Sequence, residues 1–143
     1  AIHIDLFSRQ MDIALVGDFC SYDSHCAVLE GRVLTVMQNN TISQICVDDG
    51  ALMLHKEFEC FGCTFGLYRV TDGYIIYGEM EIIMLDLNFH KVWAFSGRDI
   101  FVSQTRENAF VLGERSIKIY DWEDNFYEVD YAGKLIREQM KSS

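Results

Sequence analysis

A chain of 143 residues, half of them apolar, has enough material for one packed domain (1–143), and no stretch is long and apolar enough to cross a bilayer. Twenty-two acidic residues against twelve Lys and Arg give a net charge of −10, which disfavours nucleic acid and anionic membranes and favours basic partners. The five cysteines are an odd count, and the charged N-terminal stretch does not resemble a signal peptide. Together these two features predict reduced thiols in a cytoplasmic protein.

The first segment, residues 1–25, combines two patterns. Ile2–Leu6 alternates like a strand, whereas Leu6, Met11 and Leu15 would share one face of a helix. We favour a strand, a turn and a second strand, with a break at Gly17 and Asp18. This segment is expected to cap the fold or to complete its first sheet.

Strand and turn signals are clear from Cys26 onward. The predicted turns lie at Gly31, at Asn39–Asn40, where Asn tolerates positive φ, and at Asp48–Gly50. The intervening strands form an antiparallel meander, and the absence of proline is consistent with uninterrupted ladders.

Residues 65–131 contain one four-strand pattern twice. Gly78 matches Gly113 and Asp86 matches Asp121, a period of 35 residues that lengthens to 37 further on. The first copy comprises Gly66–Val70, Gly73–Glu79, Ile82–Leu87 and Lys91–Phe95. The second copy comprises Asp99–Ser103, Ala109–Glu114, Ile117–Trp122 and Phe126–Asp130.

Four short strands at such a period are typical of a propeller blade. The sequence therefore predicts an all-β fold, an antiparallel meander of propeller-like four-stranded blades over residues 26–131. With fewer blades than the roughly four that close a ring, the array is an open half-propeller or half of a dimer. A short C-terminal tail (132–143) follows, with a helical pattern at Lys134–Lys141.

Metal and redox sites are disfavoured. Cys60 and Cys63 have the spacing of a zinc ligand pair, which Cys20, His25 and Cys26 would have to complete. The gap between Cys20 and Cys26 is poor for that purpose, and the Cys60–Cys63 pair does not open a helix as redox pairs do. We expect the thiols to serve as small apolar groups, with no metal and no cofactor.

Catalysis is also disfavoured, because the chain carries no recognisable nucleophile motif. The paired carboxylates Glu79 and Glu81 share one side of a hairpin, whereas glycoside hydrolysis needs two carboxyls facing each other across a cleft. We therefore predict a protein that is not an enzyme, and a carboxylate-dependent hydrolase stays an alternative.

The stretch 117–122 predicts an exposed aromatic pair. Alternation places Ile117, Ile119 and Asp121 on one face of a strand, with Tyr120 and Trp122 on the other. An exposed aromatic among acids has the composition of an interface for a basic partner. The competing interpretation is that these aromatics are packed between blades. For Asp86 and Asp121 the preferred interpretation is structural, with each carboxyl bonding the backbone of the turn that it begins.

The repeated blades, the small size, the −10 charge and the missing catalytic motif resemble bacterial toxin-immunity proteins of contact-dependent growth inhibition systems. Some of those proteins have partial-propeller folds. The resemblance implies a cytoplasmic inhibitor that binds one cognate protein toxin, typically a basic nuclease, and covers its active site.

An acidic plug would mimic the phosphate that such an active site attracts. From the clustering of charge we predict the partner-binding residues to be Asp121, Trp122, Glu123, Asp124, Glu128 and Tyr120, then Asp48, Asp49 and Asp72 in exposed turns. The main alternative is a propeller-like interaction scaffold that self-associates.

Overall fold

The computed structural model describes the backbone of residues 2–6, 9–13, 25–103, 105–107 and 109–141, and the side chains from residue 25 onward. These residues form strands and turns and contain no α-helix, and hence none able to cross a membrane. A separate hairpin pairs β1 (Ile2–Leu6) with β2 (Arg9–Ile13), as the strand–turn–strand prediction requires. The predicted break at Gly17 and Asp18 lies outside the described residues.

The other strands form three antiparallel four-stranded sheets, each a meander of sequential hairpins. Blade 1 comprises β3 (Ala27–Glu30), β4 (Val33–Gln38), β5 (Thr41–Cys46) and β6 (Leu52–Glu57). Blade 2 comprises β7 (Thr64–Val70), β8 (Gly73–Gly78), β9 (Ile82–Asp86) and β10 (Lys91–Phe95). Blade 3 comprises β11 (Phe110–Leu112), β12 (Ser116–Tyr120), β13 (Phe126–Asp130) and β14 (Leu135–Gln139). The predicted fold class, an open half-propeller, is confirmed.

Two apolar cores hold the blades together, one on each face of blade 2. Met37 and Ile42 of blade 1 pack against Leu67, Ile76 and other residues of blade 2. On the far side the core is lined by side chains of blades 2 and 3 and of the segment between them: Phe65, Ile75, Tyr77, Ile82, Phe101, Ile117, Ile119 and Tyr127. Because both faces are covered, every residue of β8 is buried.

The last strand of each blade is its outer edge. The strand β14 is exposed throughout, and β6 and β10 alternate between exposed and half-buried residues. Within Lys134–Lys141, predicted to be helical, Leu135–Gln139 forms strand β14 and pairs with β13, so the prediction of a helical tail was wrong. An outermost strand covers little apolar surface, so its sequence carries few apolar residues and imitates a polar helix.

The sequence repeat also misplaced the start of blade 3 by one strand. Asp99–Ser103 was predicted to be its first strand, but it is the segment between blades, with Phe101 buried in the core. The third strands of blades 2 and 3 end at Asp86 and Asp130, so the structural period there is 44 residues. Asp121 comes directly after the second strand of blade 3. The error arose because the sequence of β8–β10 resembles that of β11–β13. The alternation of apolar residues within strands does not show where one sheet ends and the next begins.

Candidate functional site

The turns of the blades lie at two opposite ends of the array. One end, which we call the loop face, carries 39–40, 58–63, 79–81, 96–103, 105–107 and 121–125. Backbone hydrogen bonds join these segments to one another, for example Glu79 N to Cys63 O (2.8 Å) and Phe101 N to Glu79 O (2.7 Å). The other end, the opposite face, carries 31–32, 47–51, 71–72, 113–115 and 131–134.

The turn 121–125 on the loop face is built around Asp121. The Asp121 carboxyl accepts hydrogen bonds from Asn125 N (2.9 Å), Asn125 Nδ2 (3.0 Å) and the Tyr127 hydroxyl (2.8 Å). The residue is 1% exposed. Asp121 therefore holds its turn together and offers no surface to a partner, so its place among the predicted contact residues was wrong. Asp86 likewise accepts from the N–H groups of its own turn.

Trp122 and Glu123 form the tip of the same turn, and both are exposed. Ile117 and Ile119 are fully buried toward blade 2 and Lys118 between them is exposed, which agrees with the predicted alternation along β12. Trp122 lies in the turn beyond the strand and is 45% exposed. A half-exposed Trp beside a free carboxylate is a composition enriched in protein interfaces.

Arg106 neutralises part of this acidic turn. Its Nε and Nη2 donate to Asp124 Oδ1 (2.6 Å) and Oδ2 (3.1 Å), a bidentate pair that lowers the pKa of Asp124. The same guanidinium lies 3.8 Å from the centre of the Tyr120 ring, which is half-buried. Asp124 and Tyr120 are therefore already engaged within the chain, and Glu123 carries the uncompensated charge of the turn.

Glu128 lies on the side of blade 3 that faces away from blade 2. It accepts a hydrogen bond of 2.5 Å from the Ser116 hydroxyl, and Arg137 stands 4.0 Å away on the next strand. Lys118 is its direct cross-strand neighbour. Glu128 thus belongs to a charged cross-strand row on the outer sheet surface, at a distance from the turn tip.

The second group of predicted contacts lies on the opposite face. Asp48 pairs with Arg32, and Asp49 accepts from Ala51 N within its own turn (2.9 Å). Asp72 is exposed at the tip of the β7–β8 turn. The structure therefore does not bring these three residues together with Trp122 and Glu123.

A cleft of about 580 Å³ opens on the opposite face between blades 2 and 3. Met84, Leu112 and Tyr131 are among the side chains that line it, and Asp72 and Glu114 stand at exposed turn tips on its rim. Glycoside hydrolysis needs two carboxyls held on opposite sides of the scissile bond. Exposed carboxyls on two turn tips do not by themselves form such a pair.

Sequence reasoning missed the loop 58–63 as part of the site. Phe61, between the two cysteines considered for zinc, is 74% exposed on the loop face. Glu81 is 3% exposed, and its Oε2 accepts a hydrogen bond from Phe61 N (2.8 Å). The sequence did carry one signal for this loop, since the bulky Phe61 is followed by Gly62 and lies outside any alternating pattern of apolar residues.

The cysteines and histidines are dispersed. Burial, and secondarily the charge of Glu81, raises the pKa of the Cys60 thiol, which disfavours the thiolate that binds metals. His25 bonds the Leu67 carbonyl through Nδ1 (2.7 Å) and stacks on Tyr68. Among the described residues no three His, Cys, Asp or Glu side chains are placed to hold a metal ion, and Cys20 lies outside them.

No protein-family model and no curated protein sequence matches this chain. Solved propeller structures do. BamB from Moraxella catarrhalis aligns over 77% of this chain and 34% of its own, with 17% identity and a TM-score of 0.54. The Pan2 WD40 domain from Neurospora crassa aligns over 86% of this chain and 40% of its own, with 12% identity and a TM-score of 0.59. At this identity the likeness shows the fold alone, and the chain spans well under half the length of these structures.

Proposed function

We propose that this chain is a non-catalytic protein-binding module whose partner is a basic protein. The observation that carries the proposal is the turn tip of blade 3, where exposed Trp122 stands beside the uncompensated Glu123. An aromatic anchor supplies contact area, while a free carboxylate selects cationic groups on the partner. The net charge of −10 adds long-range attraction for the same class of partner.

The more specific form of the proposal is an immunity protein that neutralises a cognate toxin. A nuclease active site attracts phosphate with Lys, Arg or His, so a rigid acidic turn would compete with the substrate for those groups. The resemblance in size, charge and partial-propeller architecture supports this form. What distinguishes an immunity protein from a simple binding module is that it inhibits the activity of the partner that it binds.

Self-association is the second candidate, because the outer strands expose apolar side chains. Leu52 and Met53 of β6 and Val92 of β10 are each more than half exposed. An unpaired outer strand can also add a strand from another chain. The mass of the protein in solution separates the candidates, since a scaffold that completes itself would be a stable dimer.

The binding proposal is tested by capture followed by reconstitution. The tagged protein is used to retain partners from the lysate of its native host, and the captured protein is purified and titrated back. We expect a basic protein, a one-to-one complex, and an affinity that falls as salt is raised. Inhibition of a nuclease activity in that protein would support the immunity form, and an active complex would contradict it.

Two matched charge reversals locate the surface. Glu123→Lys should weaken binding about tenfold or more, because it places repulsion at the turn tip. Asp49→Lys makes the same charge change in an exposed turn of the opposite face and should alter affinity by less than about twofold. Equal effects of the two variants would refute the placement of the site on the loop face.

A further inference from the structure

The loop face exposes one large apolar side chain at each of three sites across the blades. Phe61 follows blade 1 and is 74% exposed, Met80 lies in blade 2 and is 42% exposed, and Trp122 lies in blade 3 and is 45% exposed. Single exposed apolar residues are ordinary on protein surfaces. Three of them on the turns of one end of the array form a row, which we call the anchor row.

Met80 packs against the loop that carries Phe61. Gly62 has a φ of +74°, and a Cβ there would stand 2.7 Å from Met80 Cγ, so Met80 lies directly on the Gly62 backbone. The buried Glu81 carboxyl accepts a hydrogen bond from the Phe61 N–H and holds the loop in place. Phe61 is therefore presented by an ordered loop, which lowers the entropy lost when a partner binds.

The third anchor is joined to the same frame through the segment between blades. Phe101 N donates to Glu79 O, and Trp122 N donates to Ile100 O, both at 2.7 Å. Phe101 itself is fully buried between blades 2 and 3. The backbone that carries Met80 is therefore linked to the backbone that carries Trp122 by two short hydrogen bonds.

Free carboxylates flank the anchors. Glu79 and Glu123 are the chain neighbours of Met80 and Trp122, and Glu59 lies two residues before Phe61. Among the described residues none of these three carboxylates forms an ion pair. Depressions of about 420 Å³ beside Phe61 and about 210 Å³ beside Trp122 lie at the two ends of the anchor row. The anchor row thus combines three exposed apolar side chains with negatively charged carboxylates close to them in the chain.

We infer that the anchor row binds an amphipathic basic segment of a partner protein, an inference that rests on the protein-binding function proposed above. Apolar side chains of the segment cover Phe61, Met80 and Trp122, and its Lys or Arg side chains meet the flanking carboxylates. A second copy of this chain fits poorly, because it carries the same net charge of −10. An anionic bilayer is repelled for the same reason.

The test selects binders to the intact protein from a random-peptide phage library. We expect the selected peptides to combine Arg or Lys with Leu, Phe or Trp. Hydrogen exchange with a synthetic selected peptide should show protection at 59–63, 79–81 and 121–125. The variants Phe61→Ser and Trp122→Ser should each weaken that peptide about tenfold or more. Leu52→Ser and Val92→Ser, at exposed apolar sites on outer strands, are the matched controls and should stay within about twofold.

The outcomes separate this inference from the proposed function. Selected peptides that protect the opposite face or the outer strands would overturn the anchor row and leave protein binding intact. A library that yields no binder above background would overturn the anchor row, while protein binding would still be decided by the capture experiment described above. Sedimentation with vesicles of neutral phosphatidylcholine that is lost in Phe61→Ser would identify the row as a lipid contact and overturn the peptide assignment.

Discussion

The Tyr127 hydroxyl donates a 2.8 Å hydrogen bond to Asp121 Oδ2 in the core between blades 2 and 3. Asp121→Ala removes the acceptor for this hydroxyl and for both nitrogens of Asn125 that bond to it. We expect it to lower the free energy of unfolding by about 2–3 kcal/mol, because buried donors lose a carboxyl partner. Glu123→Ala, two residues away and exposed, should change it by less than about 0.5 kcal/mol. Urea unfolding of the two variants checks this, and equal stabilities would contradict a structural role for Asp121.

Tyr127 also predicts a loss of stability at alkaline pH. Burial raises the pKa of Tyr127 to about 12, with Asp121 contributing in the same direction, whereas an unfolded tyrosine titrates near 10. The neutral hydroxyl is therefore favoured by folding. Its contribution to stability is complete below about pH 10 and is lost as the pH rises toward about 12.

The check compares thermal unfolding of the natural protein and of Tyr127→Phe across that pH range. The stability of the natural protein should fall more steeply, because only it carries the hydroxyl with the raised pKa. Tyr131, whose pKa is also raised by burial, is present in both and cancels in the difference. Parallel curves would contradict the assignment.

Much of the fold was readable because strand alternation and turn chemistry are local. The strands of blades 1 and 2 fall where Gly31, Asn39 and the other turn residues predict them. Sheet membership was not readable in blade 3, because it depends on which connection crosses between sheets. Asp99–Ser103 has a strand-like apolar pair, yet Phe101 is needed as core filling between blades.

The candidate site was readable only at one point. Trp122 is exposed, as the sequence predicted, although it lies in the turn after β12 and not on the strand itself. The clustering of charge then predicted too many contact residues, because it cannot distinguish buried Asp121 or paired Asp124 from the free Glu123. It also grouped Asp72 with residues that lie on the other end of the array. Phe61 carries no periodic signal, since its exposure depends on a contact with Glu81, 20 residues further along the chain.

The Arg106–Asp124 pair predicts an acid-dependent contribution to the turn. The hydrogen bonds from Arg106 lower the pKa of Asp124, so the ionised carboxyl is favoured by folding. This stabilisation is present above the ordinary Asp pKa of about 3.9 and is lost as the pH falls through the lower folded value. In Arg106→Ala the Asp124 carboxyl should titrate at higher pH, which a carbon-detected NMR titration of the side chain measures. An unchanged titration would show that the pair is not formed in solution.

The Gly133 turn predicts a large loss of stability when a single methyl group is added. Gly133 has a φ of +86°, and a Cβ there would lie 2.6 Å from Trp93 Cγ. Trp93 has little freedom to move, because its indole N–H donates to Tyr131 O at 3.0 Å. Gly50 supplies the matched control, with a φ of +73° and open space around it.

An alanine at positive φ costs about 1–2 kcal/mol, so Gly50→Ala should lose about that much stability. Gly133→Ala should lose about 1–3 kcal/mol more, because the methyl group overpacks against a fixed indole. Urea unfolding followed by Trp fluorescence measures both effects, and the emission of folded Gly133→Ala should shift as Trp93 is displaced. Equal losses in the two variants would mean that backbone strain alone explains Gly133, and that blade 3 does not hold Trp93 against this turn.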